Sequence, residues 1–232
     1  MLIEAKNLTV GYRKQVVATN INFTINEGDI LCIIGENGAG KSTLIKTILN
    51  VIKPLEGELN YDLSLKDKRF GYLPQMSESQ NDFPATVNEI VLSGRINSKK
   101  FKLFFNKEDK QIALRNMELL QIADLKDKSF SSLSGGQRQR VLIARAMCAT
   151  EKILFLDEPL NGLDPKIAKD FYNIVTDLHK NGVTIVMISH EVSESLHLAS
   201  HVLLMGEKNI FMAKEKFIKS KYMDLYLNSE EK

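Results

Sequence analysis

The sequence predicts an α/β fold: a P-loop-type parallel sheet with crossover helices, an antiparallel β subdomain before it, and an inserted helical subdomain. Residues 30–34 are all apolar, as in the central strand of a parallel sheet. Further apolar segments at residues 153–156, 183–189 and 202–205 alternate with helical patterns, which is typical of parallel sheets. A long helical stretch, residues 86–149, interrupts this alternation and indicates the inserted subdomain.

Two strand-like segments open the chain, at residues 2–10 and 16–25, and a short turn separates them. We expect these strands to form the antiparallel β subdomain. We predict a single domain over residues 1–232, in which residues 1–85 and 150–232 form the core and residues 86–149 the helical subdomain.

The composition excludes several classes of protein. The chain has 232 residues with 31 basic and 29 acidic side chains, so no concentrated positive charge favours nucleic acid. Its two cysteines suggest neither a disulfide framework nor a zinc site, which fits a reducing compartment. We see no signal peptide and no apolar run approaching the roughly 18–20 residues of a membrane span. Any membrane association is therefore expected to run through a partner or a surface.

A glycine-rich run follows the first apolar strand and precedes a helical pattern at residues 41–49. Its sequence at residues 35–43, Gly-Glu-Asn-Gly-Ala-Gly-Lys-Ser-Thr, matches the phosphate-binding P-loop in pattern and in context. Glycines let successive backbone N–H groups turn towards one anion. Lys41 places a positive charge at the β- and γ-phosphates, and the Ser42 hydroxyl suits Mg²⁺. The predicted nucleotide contacts in this P-loop are Gly35, Asn37, Gly38, Ala39, Gly40, Lys41, Ser42 and Thr43.

Two carboxylates follow the apolar strand at residues 153–156. Asp157 and Glu158 emerge at its carboxyl end, where open α/β sheets bind ligands. We expect Asp157 to hold Mg²⁺ through water and Glu158 to polarise an attacking water. Together with the P-loop, this pair predicts hydrolysis of a nucleoside triphosphate.

A second helix start that suits phosphate lies about a hundred residues after the P-loop. Ser134 is a good N-cap, and Gly135 and Gly136 let the backbone approach an anion closely. We call residues 133–137, Leu-Ser-Gly-Gly-Gln, the signature segment. The P-loop already satisfies the phosphates of one nucleotide, so the signature segment has no phosphate of its own within one chain.

These motifs, in this order and spacing, resemble the ATP-binding cassette family of transporter ATPases over essentially the whole chain. The signature segment matches the family signature word for word. A plain P-loop kinase or GTPase is disfavoured because it leaves this segment unexplained. The resemblance implies that Tyr12 stacks on adenine, that Gln75 senses Mg²⁺ and links to the transmembrane partner, that Asp164 belongs to the D-loop, and that His190 contacts the γ-phosphate.

The resemblance also implies a head-to-tail pair of chains, in which each signature segment closes on the partner's ATP. The residues implied in catalysis are Glu158 and His190. Those implied in binding Mg²⁺ are Ser42, Gln75 and Asp157. Those implied to act on the partner's nucleotide are Ser134, Gly135, Gly136 and Gln137. The implied partners are a second cassette in an ATP-dependent homodimer, a separate membrane permease, and an extracytoplasmic substrate-binding protein that acts through the permease. We expect a peripheral subunit at the cytoplasmic face of the cell membrane.

The cargo is less constrained than the chemistry. The run at residues 83–95, which follows Gln75, resembles cassettes of zinc and manganese importers, but cassettes of iron-complex and cobalamin importers have similar runs. Cassette ATPases that act on ribosomes or in DNA repair usually carry two cassettes, a coiled-coil insertion or a basic extension, and none is visible here. We therefore expect ATP-driven import of zinc or manganese, with the other importers and the non-transport ATPases as alternatives.

Two other patterns have a functional and a structural interpretation. His197 and His201 are spaced for a metal site on one helix face, but a predicted strand begins close to His201 and no third ligand is evident. Residues 99–107 are basic and aromatic and suit contact with a membrane surface or an integral partner. We favour ordinary structural roles for the two histidines, and an exposed loop with packed phenylalanines for the basic segment.

Overall fold

The computed structural model describes residues 1–13, 15–65, 70–75, 84–96, 104–150, 152–160, 165–189 and 192–223, to which all structural statements refer. The strands in these residues are β1 (Ile3–Tyr12), β2 (Gln15–Ile25), β3 (Ile30–Gly35), β4 (Glu56–Tyr61), β5 (Gly71–Leu73), β6 (Ile153–Asp157), β7 (Thr184–Ile188), β8 (His201–Met205) and β9 (Ile210–Ala213). The α-helices are α1 (Lys41–Ile48), α2 (Val87–Ser93), α3 (Lys107–Leu119), α4 (Gly135–Met147), α5 (Pro165–Lys180), α6 (Val192–Leu198) and α7 (Lys214–Ile218).

The chain divides into two compact units, which we describe separately. The P-loop unit comprises residues 1–68 and 184–232, and the signature unit comprises residues 69–183. The predicted division into a core and a helical subdomain at residues 86–149 remains a prediction.

Two sheets form the P-loop unit. In the first, β1 pairs antiparallel with both β2 and β4, which is the predicted antiparallel subdomain. In the second, β3 lies between β7 and β8 and pairs in parallel with both, while β9 joins β8 antiparallel. All residues of β3 and β7 are buried, because their continuous apolar sequences suit a strand covered on both faces.

The side chains behind β3 close the core of this unit. Leu196 of α6 and Phe217 of α7 pack with Cys32 and Ile34 of β3 in one buried cluster. Burial raises the pKa of the Cys32 thiol to about 11, so the thiol remains neutral at physiological pH. Cys32 therefore acts as a small apolar core residue.

In its described residues, the signature unit combines a parallel strand pair with four α-helices. β5 pairs in parallel with β6, and all five residues of β6 are buried. Three of the helices begin with capping boxes, in which the N-cap side chain and the N3 side chain bond each other's backbone N–H. These N-cap and N3 pairs are Thr86 and Glu89 for α2, Asn106 and Asp109 for α3, and Ser134 and Gln137 for α4.

One arginine joins the three helices α2, α3 and α4. The Arg95 Nε atom lies 3.1 Å from the Asp109 carboxylate, and its Nη1 atom donates to the Cys148 carbonyl at 2.8 Å. A Cβ atom at Gly94 would collide with the Arg145 carbonyl, so the ends of α2 and α4 lie in close contact. The carboxyl-terminal end of α4 is therefore braced by α2 and α3.

The predicted fold class is confirmed: the chain has a parallel sheet, an antiparallel β subdomain and helices. The sequence analysis missed β4 and β9. Within the described parts of the chain, no helix is both long enough and apolar enough to cross a membrane.

Candidate functional site

The P-loop begins where β3 ends, and its backbone requires glycine. Gly35 has φ +144°, and a Cβ atom there would collide with the Met205 carbonyl of β8. Gly40 has φ +94°, and a Cβ atom there would lie 2.8 Å from the Val17 side chain. L side chains rarely adopt these φ values. The glycines thus let the loop turn tightly against neighbouring strands and enter α1 directly.

The tip of the P-loop and the start of α1 are suited to an anion. Residues 36–38 are exposed, and the first turn of α1 contains no acidic side chain. Gly40 provides no side-chain cap, so the first N–H groups of α1 have no competing side-chain acceptor at that position. These N–H groups and the helix dipole favour phosphate at this helix start.

Lys41 is held inside the loop that it serves. Its Nζ atom donates to the carbonyls of Gly35 at 2.7 Å and Glu36 at 2.9 Å, and the residue is only 5% exposed. These two bonds fix the ammonium group against the backbone of the P-loop. A phosphate oxygen is a stronger acceptor for an ammonium than a neutral carbonyl, so phosphate can take over part of this hydrogen bonding.

Asp157 and Glu158 lie at the end of β6 in the signature unit. Asp157 is 4% exposed, and the Tyr72 hydroxyl of β5 donates to its Oδ2 atom at 3.2 Å. Glu158 follows with φ +47°, a left-handed conformation that is uncommon outside glycine. The Gln75 amide donates to its Oε2 atom at 2.8 Å, so the structure brings these two predicted site residues together.

The predicted Mg²⁺ ligands offer the chemistry that this ion requires. Mg²⁺ prefers oxygen ligands in an octahedral shell that includes several waters. Ser42 offers a hydroxyl, Gln75 an amide oxygen and Asp157 a carboxylate. The Tyr72 hydroxyl bonds the Asp157 carboxylate and thereby orients it. The residues present therefore fit the ion.

The signature segment caps α4 as predicted from its sequence. The Ser134 hydroxyl accepts from the Gln137 N–H at 3.4 Å, and the Gln137 side chain accepts from the Ser134 N–H at 3.1 Å. Ser134 is exposed, and a Cβ atom at Gly136 would meet only Ile167 side-chain carbons at 3.7–3.9 Å. Its first turn has no acidic residue. The segment thus presents an open, anion-compatible helix start.

Comparison with known proteins decides the family. The sequence matches the ABC transporter family over residues 18–161. The chain belongs to this family. It is 35% identical to the manganese transport system ATP-binding protein MntB of Bacillus subtilis over 90% of this chain and 84% of that protein. It is 36% identical to the high-affinity zinc uptake system ATP-binding protein ZnuC of Bacillus subtilis, over 89% of this chain and 93% of that one.

A solved structure agrees with this membership. A chain from an inward-facing ABC transporter, described as of a metal-chelate type, superposes with a TM-score of 0.86 at 30% identity. The match covers 98% of this chain and 89% of that chain. As a cassette of the ABC family, the present chain binds ATP, is an ATPase coupled to transport, and works as a dimer with a membrane permease.

Two residues that bond the segment carrying the predicted carboxylates escaped the sequence analysis. Tyr72 bonds Asp157, and Gln139, which is 3% exposed, donates from its Nε2 atom to the Pro159 carbonyl at 2.7 Å. The only signal for either was a polar group among apolar neighbours: Tyr72 in a short buried strand and Gln139 on the inner face of α4.

Some of the remaining predicted site residues lie in the described part of the chain, and others do not. Tyr12 ends β1 and is 45% exposed, and its stacking on adenine stays a prediction. Asp164, His190 and residues 99–103 lie outside the described residues, whereas Phe104 is described and is 83% exposed.

The two histidines that raised the question of a metal do not share a helix. His197 lies in α6, which ends at Leu198, whereas His201 opens β8. The His201 ring stacks on Phe211, and its Nδ1 atom lies 3.5 Å from the Asp29 carboxylate. In the described portion of the chain, no group of three or more histidine, cysteine, aspartate or glutamate side chains is arranged to hold a metal ion.

Proposed function

We propose that this ABC cassette hydrolyses ATP to drive uptake of zinc or manganese through a separate permease. The observation that carries the choice of cargo is the similarity, over about nine-tenths of the chain, to cassettes named for manganese transport and zinc uptake. The cassette itself does not select the ion. Specificity belongs to the permease and to an extracytoplasmic binding protein that delivers the ion to it.

Nucleotide binding is the task of the P-loop unit. Tyr12 stacks on the adenine, and the backbone of the P-loop surrounds the phosphates. Lys41 exchanges bonds with the Gly35 and Glu36 carbonyls for bonds with phosphate oxygens, which accept more strongly. The proposed contacts along the loop are Gly35, Asn37, Gly38, Ala39, Gly40, Lys41, Ser42 and Thr43.

Hydrolysis is the task of the carboxylates after β6. Glu158 orients the attacking water and takes its proton, and Gln75 fixes that carboxylate by its 2.8 Å hydrogen bond. Ser42, Gln75 and Asp157 would hold Mg²⁺, whose contribution when bound is to neutralise negative charge on the phosphate oxygens. His190 contacts the γ-phosphate in this scheme.

The signature segment completes the site from the other chain. Ser134 and the N–H groups of Gly135, Gly136 and Gln137 present a positive helix end at the surface, which suits the γ-phosphate of the partner's ATP. Asp164 would contribute contacts across the same interface. ATP therefore joins the two chains, and hydrolysis separates them, which gives the permease two states.

A groove in the signature unit suits a segment of the permease. Its volume is about 450 Å³, and Leu73, Ile90 and Leu142 give it apolar walls. Glu89 and Arg145 add one charge of each sign to the lining. The backbone and side-chain hydrogen bonds from Thr86 hold the pKa of Glu89 below its usual value, so its charge persists at neutral pH. Docking here would place the cassette at the cytoplasmic face of the membrane.

Import of a metal chelate is the second candidate. Its support is the structural match to a transporter described as of metal-chelate type. An iron complex or cobalamin would use the same cassette chemistry, because the cargo does not contact this chain.

Uptake by the complete transporter tests the cargo. The cassette is purified with its permease, reconstituted in proteoliposomes with the binding protein, and assayed for ATP-dependent uptake of Zn²⁺, Mn²⁺, a ferric chelate and cobalamin. We expect uptake of Zn²⁺ or Mn²⁺, and none in the same complex carrying Glu158→Gln. Uptake of the chelates alone would establish the second candidate. Co-purification with ribosomes or DNA in place of a permease would contradict a transport function.

A further inference from the structure

Three consecutive residues at the end of β6 are held by three different parts of the signature unit. We call residues 157–159 the carboxylate turn. The Tyr72 hydroxyl of β5 bonds Asp157, and the Gln75 amide, just after β5, bonds Glu158. Gln139 of α4 bonds the carbonyl of Pro159. The first two bonds reach carboxylates directly, whereas the third holds the backbone.

The bond from Gln139 is shielded from water. Gln139 is 3% exposed, Pro159 is also buried, and the Nε2 atom lies 2.7 Å from the carbonyl oxygen. A hydrogen bond in such surroundings is stronger than one in water, and loss of either partner leaves a buried polar group unpaired. A glutamine on the buried face of a helix is thus a specific feature, since an apolar side chain is the ordinary occupant.

Proline makes this bond an effective constraint on Glu158. Its ring fixes φ, so the rotation that remains in the Pro159 backbone is the one that moves its carbonyl. Gln139 holds that carbonyl, which makes residue 159 rigid with respect to α4. Glu158 precedes it directly and has φ +47°, a conformation that persists only where surrounding contacts enforce it.

Two other long polar side chains near the start of α4 have hydrogen-bond partners outside the carboxylate turn. The Arg138 Nε atom donates to the Leu133 carbonyl at 2.9 Å, and the Arg140 Nη1 atom donates to the Leu120 carbonyl after α3 at 3.0 Å. Among the described hydrogen bonds of α4 side chains, only that of Gln139 ends on the carboxylate turn. Gln139 lies one helical turn after Gly135 and is therefore close to the end that carries the signature segment.

We propose that Gln139 is a positioning residue that ties the signature helix α4 to the backbone next to Glu158. This inference rests on the proposed roles of Glu158 in hydrolysis and of the signature segment in trans. Closure of one chain's signature segment on the partner's ATP then acts through Gln139 on the first chain's own Glu158. The two ATP sites of the dimer are coupled through this bond.

Substitutions at residue 139 separate this role from general support of the helix. Gln139→Met keeps the length of the side chain and removes the donor. Gln139→Glu donates to the carbonyl only when protonated, and a buried carboxyl group has a raised pKa. The matched control is Arg140→Met, which removes a bond of the same kind from the next residue of α4 but leaves the carboxylate turn untouched. Each purified full-length chain is compared by its ATP affinity, kcat, KM and Hill coefficient.

For Gln139→Met we expect kcat to fall by about tenfold or more, because misplacement of a reacting group by about 1 Å costs up to roughly 100-fold. KM and the ATP affinity of the monomer should change little, since the P-loop unit binds the nucleotide. The Hill coefficient should fall towards one. The kcat of Gln139→Glu, relative to the wild type at the same pH, should rise as the pH falls. Arg140→Met should retain the wild-type Hill coefficient and kcat.

Two results would overturn the inference: wild-type kcat and cooperativity in Gln139→Met, or equal losses in Gln139→Met and Arg140→Met. If Gln139→Met does not fold, the Gln139→Glu variant provides the test. A ratio of its kcat to the wild-type kcat that does not change with pH would then overturn the inference. Failure of the proposed role of Glu158 has a different outcome, because Glu158→Gln would then hydrolyse ATP normally.

Discussion

The P-loop and the carboxylate turn both follow a buried parallel strand, but different interactions hold them. The P-loop depends on its own glycines and on Lys41, whose hydrogen bonds reach carbonyls six and five residues away. The carboxylate turn depends on Tyr72, Gln75 and Gln139, which are separated by 85, 83 and 20 residues from the residues that they bond. Phosphate binding is therefore encoded locally, whereas the geometry for hydrolysis depends on the tertiary structure of the signature unit.

Removing the P-loop cation should have the largest effect on nucleotide binding. We expect Lys41→Ala to weaken ATP binding by at least about tenfold, since a hydrogen bond to a charged group contributes about 1.5–3 kcal/mol. Isothermal titration with ATP measures the change. Lys46→Ala is the matched control, because it removes the same charge from the last turn of α1. Equal losses in both variants would mean that Lys41 acts through net charge alone.

Alanine substitution of glycine should have opposite effects in the two units. Gly40→Ala places a side chain at φ +94° and 2.8 Å from Val17, so we expect the free energy of unfolding to fall by about 1–3 kcal/mol. Gly136→Ala meets only ordinary contacts in α4, where alanine is favoured by roughly 0.5–1 kcal/mol. Urea denaturation should therefore show destabilisation in the first variant and stabilisation in the second. A change in the free energy of unfolding of the same sign in both variants would contradict the contrast between a loop that requires glycine and an open helix start.

Removal of one hydroxyl should affect the carboxylate turn subtly. Tyr72→Phe deletes the donor to Asp157, and we expect the free energy of unfolding to fall by about 0.5–1.5 kcal/mol. Because Asp157 loses its orientation, more Mg²⁺ should be needed for half-maximal ATPase activity, which a Mg²⁺ titration measures.

Tyr61→Phe in the P-loop unit provides the control for this substitution. The Tyr61 hydroxyl donates to the Ile48 carbonyl at 2.6 Å, and burial raises its pKa to about 12. Removal of the Tyr61 hydroxyl should lower the free energy of unfolding by about as much as Tyr72→Phe does, and it should leave the Mg²⁺ requirement of the ATPase unchanged. A shifted Mg²⁺ requirement in Tyr61→Phe, or none in Tyr72→Phe, would contradict the role of Tyr72.

The sequence analysis succeeded for the features that are encoded locally. Helix α1 was predicted at residues 41–49 and spans Lys41–Ile48, and the predicted N-cap Ser134 begins α4, which spans Gly135–Met147. Glycines, caps and apolar runs specify these elements within a few residues. The capping boxes that begin with Thr86 and Ser134 have the same local origin.

The features that the sequence analysis missed are defined by distant partners. Strand β4, whose residues are mostly polar and exposed, is a strand because it pairs with β1, some fifty residues earlier. Strand β9 has only four residues and depends on β8. Tyr72 and Gln139 gain their roles from bonds to the carboxylate turn. Local sequence patterns do not predict such distant partners. The roles of the predicted site residues, including Asp164 and His190, stay predictions.

The most direct test of this account is ATP-induced dimerisation measured by light scattering. We expect the Glu158→Gln chain to bind ATP without hydrolysing it, and we therefore predict a monomer in buffer and a dimer with ATP. Adding Ser134→Arg should leave the ATP affinity of the monomer unchanged and keep the chain monomeric with ATP, because the signature segment acts on the partner's nucleotide. An ATP-induced dimer of the double variant, or loss of ATP binding by its monomer, would contradict the claim.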